Sequence, residues 1–211
     1  MPLFITFEGV DFSGKTTQAA LAVERLRADG REVLFVREPG GTDLSEMIRP
    51  ILLEKNRIPI DPVAELLLFN AARAQLVREV IRPALTRGTL VVCDRFYDST
   101  TAYQGYGRSL PLDAVKAVNA FASGGTVPDL TLFVDVGPLE LGRRKARQGQ
   151  TPDRMEESGD DFYAKVLIGY REIAGAEPSR VVIVSGDGTV EETHAAVWAK
   201  IEQRLNSKVT Q

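Results

Sequence analysis

Leu3-Phe4-Ile5-Thr6-Phe7-Glu8-Gly9-Val10-Asp11-Phe12-Ser13-Gly14-Lys15-Thr16-Thr17 decides the fold. Its first five residues are an apolar run of strand length, and the run ends at a loop flanked by two glycines. A helix is expected to begin at about Lys15. Gly9 to Thr17 is therefore a P-loop in the setting its chemistry requires, a strand before it and a helix after it. The backbone N–H groups of such a loop converge on a phosphate, and the helix N-terminus adds partial positive charge. Lys15 can reach outer phosphates and the Thr16 hydroxyl can ligate magnesium. Gly9, Val10, Asp11, Phe12, Ser13, Gly14, Lys15, Thr16 and Thr17 are the candidate cradle of a nucleoside triphosphate such as ATP. A glycine-rich turn matching by chance would not need both flanking elements.

Working outward, short apolar runs alternate with helical patterns. Strands are expected at Leu3–Phe7, Glu32–Val36, Thr89–Cys93, Leu130–Val134 and Arg180–Val184. Each is rich in Val, Ile, Leu or Phe, as suits strands buried on both faces. Helices are expected at Lys15–Ala28, Leu44–Leu53, Pro62–Thr86, Asp113–Ala122, Pro138–Gln148, Asp160–Ile173 and Val190–Leu205. Asp29-Gly30 and Arg87-Gly88 read as helix stops, and Pro83 should kink or interrupt the long third helix. This alternation specifies an α/β chain of the P-loop NTPase fold: a five-stranded parallel sheet with helices on both faces. The expectation is one domain over residues 1–211. The tail Asn206–Gln211 is expected to fray. Ligands on such sheets collect at the carboxyl ends of the strands, where the polar motifs of this chain also fall.

The chain has 211 residues, 44% of them hydrophobic and 26% charged, with a formal net charge of −3. This is ordinary globular composition. No apolar run has membrane-spanning length, and no secretory signal is visible. Cys93 is the only cysteine; it sits in an apolar run and reads as a buried structural thiol in a reducing, cytoplasmic setting. An acidic chain with basic islands at Arg143-Arg144-Lys145-Ala146-Arg147 and Arg154 suits a small phosphorylated ligand better than a nucleic-acid polymer. A solvated helix face is the plain alternative for that charge run.

Three further segments follow strands or share helix faces. After the third strand comes Asp94-Arg95-Phe96-Tyr97-Asp98-Ser99-Thr100-Thr101-Ala102-Tyr103-Gln104-Gly105. Were it helical from Arg95, then Arg95, Ser99 and Tyr103 would share one face and form an anion and sugar site. Asp94 is placed to serve magnesium, with Asp135 at the end of the fourth strand as competitor, or to form an ordinary strand-end ion pair with a neighbouring base. Phe69 and Arg73, four apart, can stack on a base and donate to its carbonyl, or be simply core and surface. Arg37-Glu38-Pro39-Gly40-Gly41-Thr42 makes a tight turn that projects Glu38. His194, the only histidine, reads as structural or surface.

In this order and over nearly the whole chain, these segments, with Pro128–Val136 and Asp153-Arg154-Met155-Glu156, resemble the thymidylate kinase family. The Arg-Glu-Pro-Gly-Gly-Thr segment and the Asp-Arg-Phe-Tyr-x-Ser-x-x-Ala-Tyr-Gln run are its least generic parts. The resemblance implies transfer of the ATP γ-phosphoryl to dTMP, giving dTDP and ADP. It implies that Asp11 contacts the sugar hydroxyl of dTMP, that Phe69 stacks on thymine and that Arg73 holds a carbonyl of the base. Arg95 would bind the acceptor phosphate, Tyr103 would crowd the 2′ position, and Gln104 would lie beside the base. Glu38 and Ser99 complete the expected acceptor site; Lys15 and Thr16 serve ATP and Mg2+. Phe12 stands where some members carry a P-loop arginine, and the resemblance then implies a catalytic arginine in a short lid, here at about 143–158. Arg147 and Arg154 are its candidates, with Arg143 third. Ala72 and Leu76 replace polar residues of some members. A homodimer is also implied, and the apolar face of Leu66, Leu67, Val77 and Val80 suits either that or the core. The rivals are a kinase for another nucleoside monophosphate and a nucleotide-driven switch. The Asn-Lys-x-Asp motif of a guanine-dependent switch is absent from the sequence.

Overall fold

The computed structural model describes residues 2–55, 59–148 and 154–209. It begins with β1 (Phe4–Glu8), α1 (Lys15–Ala28), β2 (Val33–Arg37), α2 (Asp43–Leu53) and α3 (Pro62–Leu76). A π-helical turn, Val77–Ile81, joins α3 to α4 (Arg82–Thr86), followed by β3 (Leu90–Asp94) and α5 (Tyr97–Thr100). A second π-helical segment, Thr101–Gly107, leads to α6 (Leu112–Ser123), β4 (Leu130–Asp135) and α7 (Pro138–Gln148). The chain ends with α8 (Asp160–Ala176), β5 (Val181–Ser185) and α9 (Val190–Val209).

All five strands are parallel, in the order β2-β3-β1-β4-β5. The central strands are buried along nearly their whole length, while the edge strands β2 and β5 expose some of their residues. Alternation along β1 builds two cores. Leu3, Ile5 and Phe7 pack under α1 and α9, against Ala22, Leu26, Trp198 and Ile201. Phe4 packs on the other face with Leu76, Ile81, Val91 and Phe96. Burying each such side chain contributes about 1.5–3 kcal/mol. Farther along that second face, Phe133 stacks on Tyr170 of α8 at 4.8 Å.

Every expected strand is present, and each runs at least one residue further toward its carboxyl end than expected. The added residues are Glu8, Arg37, Asp94, Asp135 and Ser185. Apolar patterning stops where the residues turn polar, yet the parallel ladder does not. Pro83 has no N–H to donate, and the helix passes it by widening into the π turn, where Arg82 N–H bonds the Val77 carbonyl. The tail expected to fray from Asn206 instead continues α9 to Val209.

Candidate active site

The sheet order places β3 and β4 on either side of β1, so the loop after β1 opens at the point where successive strands diverge. Gly9 has φ 146°, and a Cβ there would stand 2.8 Å from the Val134 carbonyl; only glycine lets the loop pass so near β4. Gly14, left-handed at φ 90°, turns the chain into α1. Lys15 is buried, with Nζ 3.6 Å from Asp11 Oδ1. The Thr16 hydroxyl donates to Asp94 Oδ2 at 2.5 Å, and Asp94 Oδ1 is buried with no hydrogen-bond partner among the described residues. A hydroxyl and a carboxylate oxygen beside an orphaned carboxylate oxygen fit a hard oxygen-seeking cation. Asp135 is instead paired with Arg171 at 3.0 Å.

Arg95, Ser99 and Tyr103 do converge, but not on one helical face. Arg95 is left-handed (φ 72°), Phe96 is extended, and α5 starts only at Tyr97. The turn projects the Arg95 guanidinium back over the site. Its Nη2 donates to Asp11 Oδ1 at 2.6 Å and to Tyr103 Oη at 3.3 Å; its Nη1 donates to Ser99 Oγ at 3.1 Å and Tyr170 Oη at 3.4 Å. The Tyr163 and Tyr103 hydroxyls donate to Asp11 Oδ2 at 3.2 and 3.3 Å. Burial alone would raise the Asp11 pKa, but Arg95 and then Lys15 hold its carboxyl well below the usual range.

A cavity of about 620 Å³ adjoins Arg95, lined in part by Asp11, Glu38, Phe69, Arg73, Tyr103 and Gln104. Phe69 is half-buried against Ile48, Leu52 and Ala72, so it is partly core. Arg73 is buried rather than on the surface. Its Nε donates to Glu38 Oε2 at 2.8 Å and its Nη1 donates to Asn70 and Asn119 at 3.1 and 3.3 Å. Its Nη2 lies 2.6 Å from Glu38 Oε2. Burial pushes the Glu38 carboxyl up, Arg73 opposing, and its Oε1 has no partner among the described residues. Gln104 Nε2 donates to Glu65 Oε1 at 2.8 Å.

The lid arginines separate. Arg147 is exposed and lines a groove of about 960 Å³ with Phe12, Gly14, Thr17 and Gly188. Arg154 is instead 2.6 Å from the buried carboxylate of Glu65, with Nε donating to the Leu52 carbonyl at 2.7 Å. Arg143 is exposed beside Glu140. Gly149, Pro152 and Asp153 lie outside the described residues. His194 lies 3.3 Å from Gln18, a residue at the edge of that groove, and lines neither cavity itself.

Several contributors escape a reading of motifs. Arg144 donates to the Ser13 carbonyl at 2.9 Å and to the Gly186 carbonyl, clamping α7 to the P-loop. Within the charge run nothing distinguishes it from its neighbours. Tyr163 and Tyr170, seven apart and therefore on one face of α8, are in principle detectable from that spacing. Asn119 and Glu65 carry no sequence signal.

A family model described as thymidylate kinase matches residues 7–197. A thymidylate kinase of Chlorobium luteolum is 46% identical, covering 98% of this chain and 100% of the relative. One from Kosmotoga olearia is 48% identical over 92% and 93%, respectively. The crystal structure of thymidylate kinase from Ehrlichia chaffeensis superposes with a TM-score of 0.79 at 33% identity, covering 95% of this chain and 98% of that one. With the P-loop, the two cation-bearing strand ends and matches that run from β1 into α9, this chain belongs to the thymidylate kinase family.

Proposed function

We propose that the protein transfers the γ-phosphoryl group of ATP to dTMP, forming dTDP and ADP, as a single domain with a lid at about 143–158. The observation that carries this reading is the meeting of two cations on one oxygen. Lys15 Nζ from the P-loop and Arg95 Nη2 from the end of β3 lie 3.6 and 2.6 Å from Asp11 Oδ1. A donor phosphate held by Lys15 and an acceptor phosphate held by Arg95 would meet there, with Asp11 releasing the cations to its substrate. Two like charges about 4 Å apart repel by roughly 4 kcal/mol at an effective dielectric of 20, so fixed cations between them are the main requirement. The acceptor phosphate is already ionised at neutral pH, so no general base is needed.

The acceptor base would lie in the cavity against Phe69, with Gln104 beside it. Glu38, Asn70 and Asn119 occupy most of the Arg73 donors, and an Nη2 N–H remains for a base carbonyl. Tyr103 would face the sugar and favour deoxyribose. Thr16 and Asp94 would hold Mg2+, which when bound neutralises charge on the donor phosphates. Arg147, in the groove beside the P-loop, is placed to reach the donor when the lid closes, whereas Arg154 is engaged on Glu65.

A homodimer is part of this reading. Leu66 and Val77 are core, so they do not form its face. Met47 and Ile51 of α2, Val63 and Leu67 of α3 and Phe121 of α6 are exposed on helices that pack in series, α2 on α3 and α3 on α6, and suit it better. No described helix is long and apolar enough to cross a membrane. The buried free thiol of Cys93 suits a cytoplasmic setting. Coupled ADP release from ATP and magnesium, with dTMP, dUMP, ribo-TMP or no acceptor, tests the reading. Preference for another monophosphate, or hydrolysis indifferent to acceptor, would overturn it.

A further inference from the structure

The left-handed turn just past β3 sets the direction in which Arg95 leaves the chain, but only side-chain partners can fix its guanidinium. The groups that do are Asp11 on one nitrogen and two hydroxyls on the other. Beneath those hydroxyls lies Glu8, the last residue of β1, 0% exposed and without a part in phosphoryl transfer. Its Oε1 accepts the Phe96 N–H at 2.7 Å, pinning the turn that carries Arg95. Its Oε2 accepts from Ser99 at 2.6 Å and from Tyr170 at 2.9 Å. We propose that Glu8, acting through the Ser99 and Tyr170 hydroxyls, is the positioning residue that holds Arg95 in its acceptor-binding pose. Tyr170 brings α8, the helix following the lid, into that support. The inference rests on the reading of Arg95 as the acceptor-phosphate ligand.

The reason is proton direction. A hydroxyl has one proton to donate. Both protons given to an ionised Glu8 leave only lone pairs facing Arg95 Nη1, so Ser99 and Tyr170, 2.9 Å apart, both accept from the guanidinium and neither donates to the other. A neutral group at Glu8 donates into this cluster, and a hydroxyl must turn its proton toward a donor. Groups facing Glu8 are Arg95, Asp98 of α5, Tyr170 of α8, Lys15 of α1 and Cys93 of β3. Burial, then Asp98, pushes the Glu8 carboxyl up to about 7, so its ionisation changes near neutrality. Tyr170 keeps its ring in the core by stacking on Phe133, which separates the role of its hydroxyl from that of its ring.

The test is steady-state kinetics of the full chain with magnesium, varying dTMP at saturating ATP and then ATP at saturating dTMP, for Tyr170→Phe, Glu8→Gln and Arg95→Lys. Tyr170→Phe is expected to lower kcat/KM for dTMP about tenfold with the ATP KM unchanged, as for loss of a hydrogen bond to a charged group. Glu8→Gln is expected to lose about tenfold or more and to lack the rise in kcat/KM through pH 7. It keeps only the step from the substrate phosphate near pH 6. In the Arg95→Lys background, Tyr170→Phe should add no further loss. Wild-type dTMP kinetics in both Tyr170→Phe and Glu8→Gln would overturn the inference, as would equal losses toward ATP and dTMP. Additive loss with Arg95→Lys would also overturn it. If Arg95→Lys leaves the dTMP KM unchanged, the acceptor reading of Arg95 has itself failed.

Discussion

The two halves of the site differ in how much of their charge is already engaged. On the acceptor side, Arg73 is 2% exposed and bonded to Glu38, Asn70 and Asn119, while Arg95 is held by Asp11, Ser99, Tyr103 and Tyr170. On the P-loop side, exposed Thr17 and Arg147 line an open groove. A rigid acceptor pocket avoids the cost of ordering long cationic side chains when dTMP binds. An open P-loop side would let ATP enter and leave before the proposed lid closed over it and excluded water. Asp11 is the joint between the halves, paired with a cation from each.

The severest way to break this contrast is to remove one cation from each half. Lys15→Ala and Arg95→Ala are each expected to lower kcat/KM by about a thousandfold or more, the scale of a lost contact to transferring charge. They should differ in substrate: Arg95→Ala weakens dTMP, and Lys15→Ala acts on ATP and turnover. Near-wild-type rates in either variant remove that residue from the chemistry. Next in size is Asp94→Asn. It keeps the shape of the side chain but loses its charge, and should raise the magnesium needed for half-maximal rate about tenfold to a hundredfold. Titration of magnesium at fixed ATP reads this directly. An unchanged requirement moves the cation elsewhere, with Asp135 as the remaining candidate.

The lid arginines sharpen the comparison. Arg147→Ala is expected to lower kcat about tenfold to a hundredfold with little change in melting temperature, because the residue is exposed. Arg154→Ala removes a partner of the buried Glu65, which Arg108 and Gln104 still contact at 3.2 and 2.8 Å. It should lower the melting temperature and raise the dTMP KM more than it lowers kcat. The opposite ranking would place Arg154 at the transferring group and Arg147 in solvent.

The sequence displayed the sheet, all five strands and the P-loop, because apolar runs and loop glycines are local signals. It missed the left-handed turn at Arg95, since that conformation is imposed by Glu8 of β1 bonding the Phe96 N–H, 88 positions away. The strand ends were clipped at Glu8, Arg37 and Asp94 for a related reason. These polar residues remain in the ladder because strand tips form the site. Tyr163 and Tyr170 sit in a helix whose pattern reads as core, and only their hydroxyls turn toward Asp11 and Glu8. Phe69 and Arg73 were legible as a pair. The carboxylate and two asparagines that fix Arg73 come from the β2–α2 turn, α3 and α6, a convergence that spacing does not encode.

The smallest expected effect concerns stability and separates the support of Arg95 from mere packing. Glu8 has a folded-state pKa of about 7 against 4.5 for an ordinary glutamate. A raised carboxyl favours the folded state fully below the unfolded value and loses that contribution as pH rises through the folded one. The loss over that window is on the order of 3 kcal/mol. Glu8→Gln cannot ionise, so its melting temperature should fall less than that of the wild type between about pH 5 and pH 8. At pH 8 it should match or exceed the wild type while turning over dTMP more slowly. A variant that is less stable at every pH, with activity lost in proportion, would assign Glu8 to the core alone. A variant more stable yet slower would show that the ionised carboxylate is retained at a cost in stability because it aims Arg95.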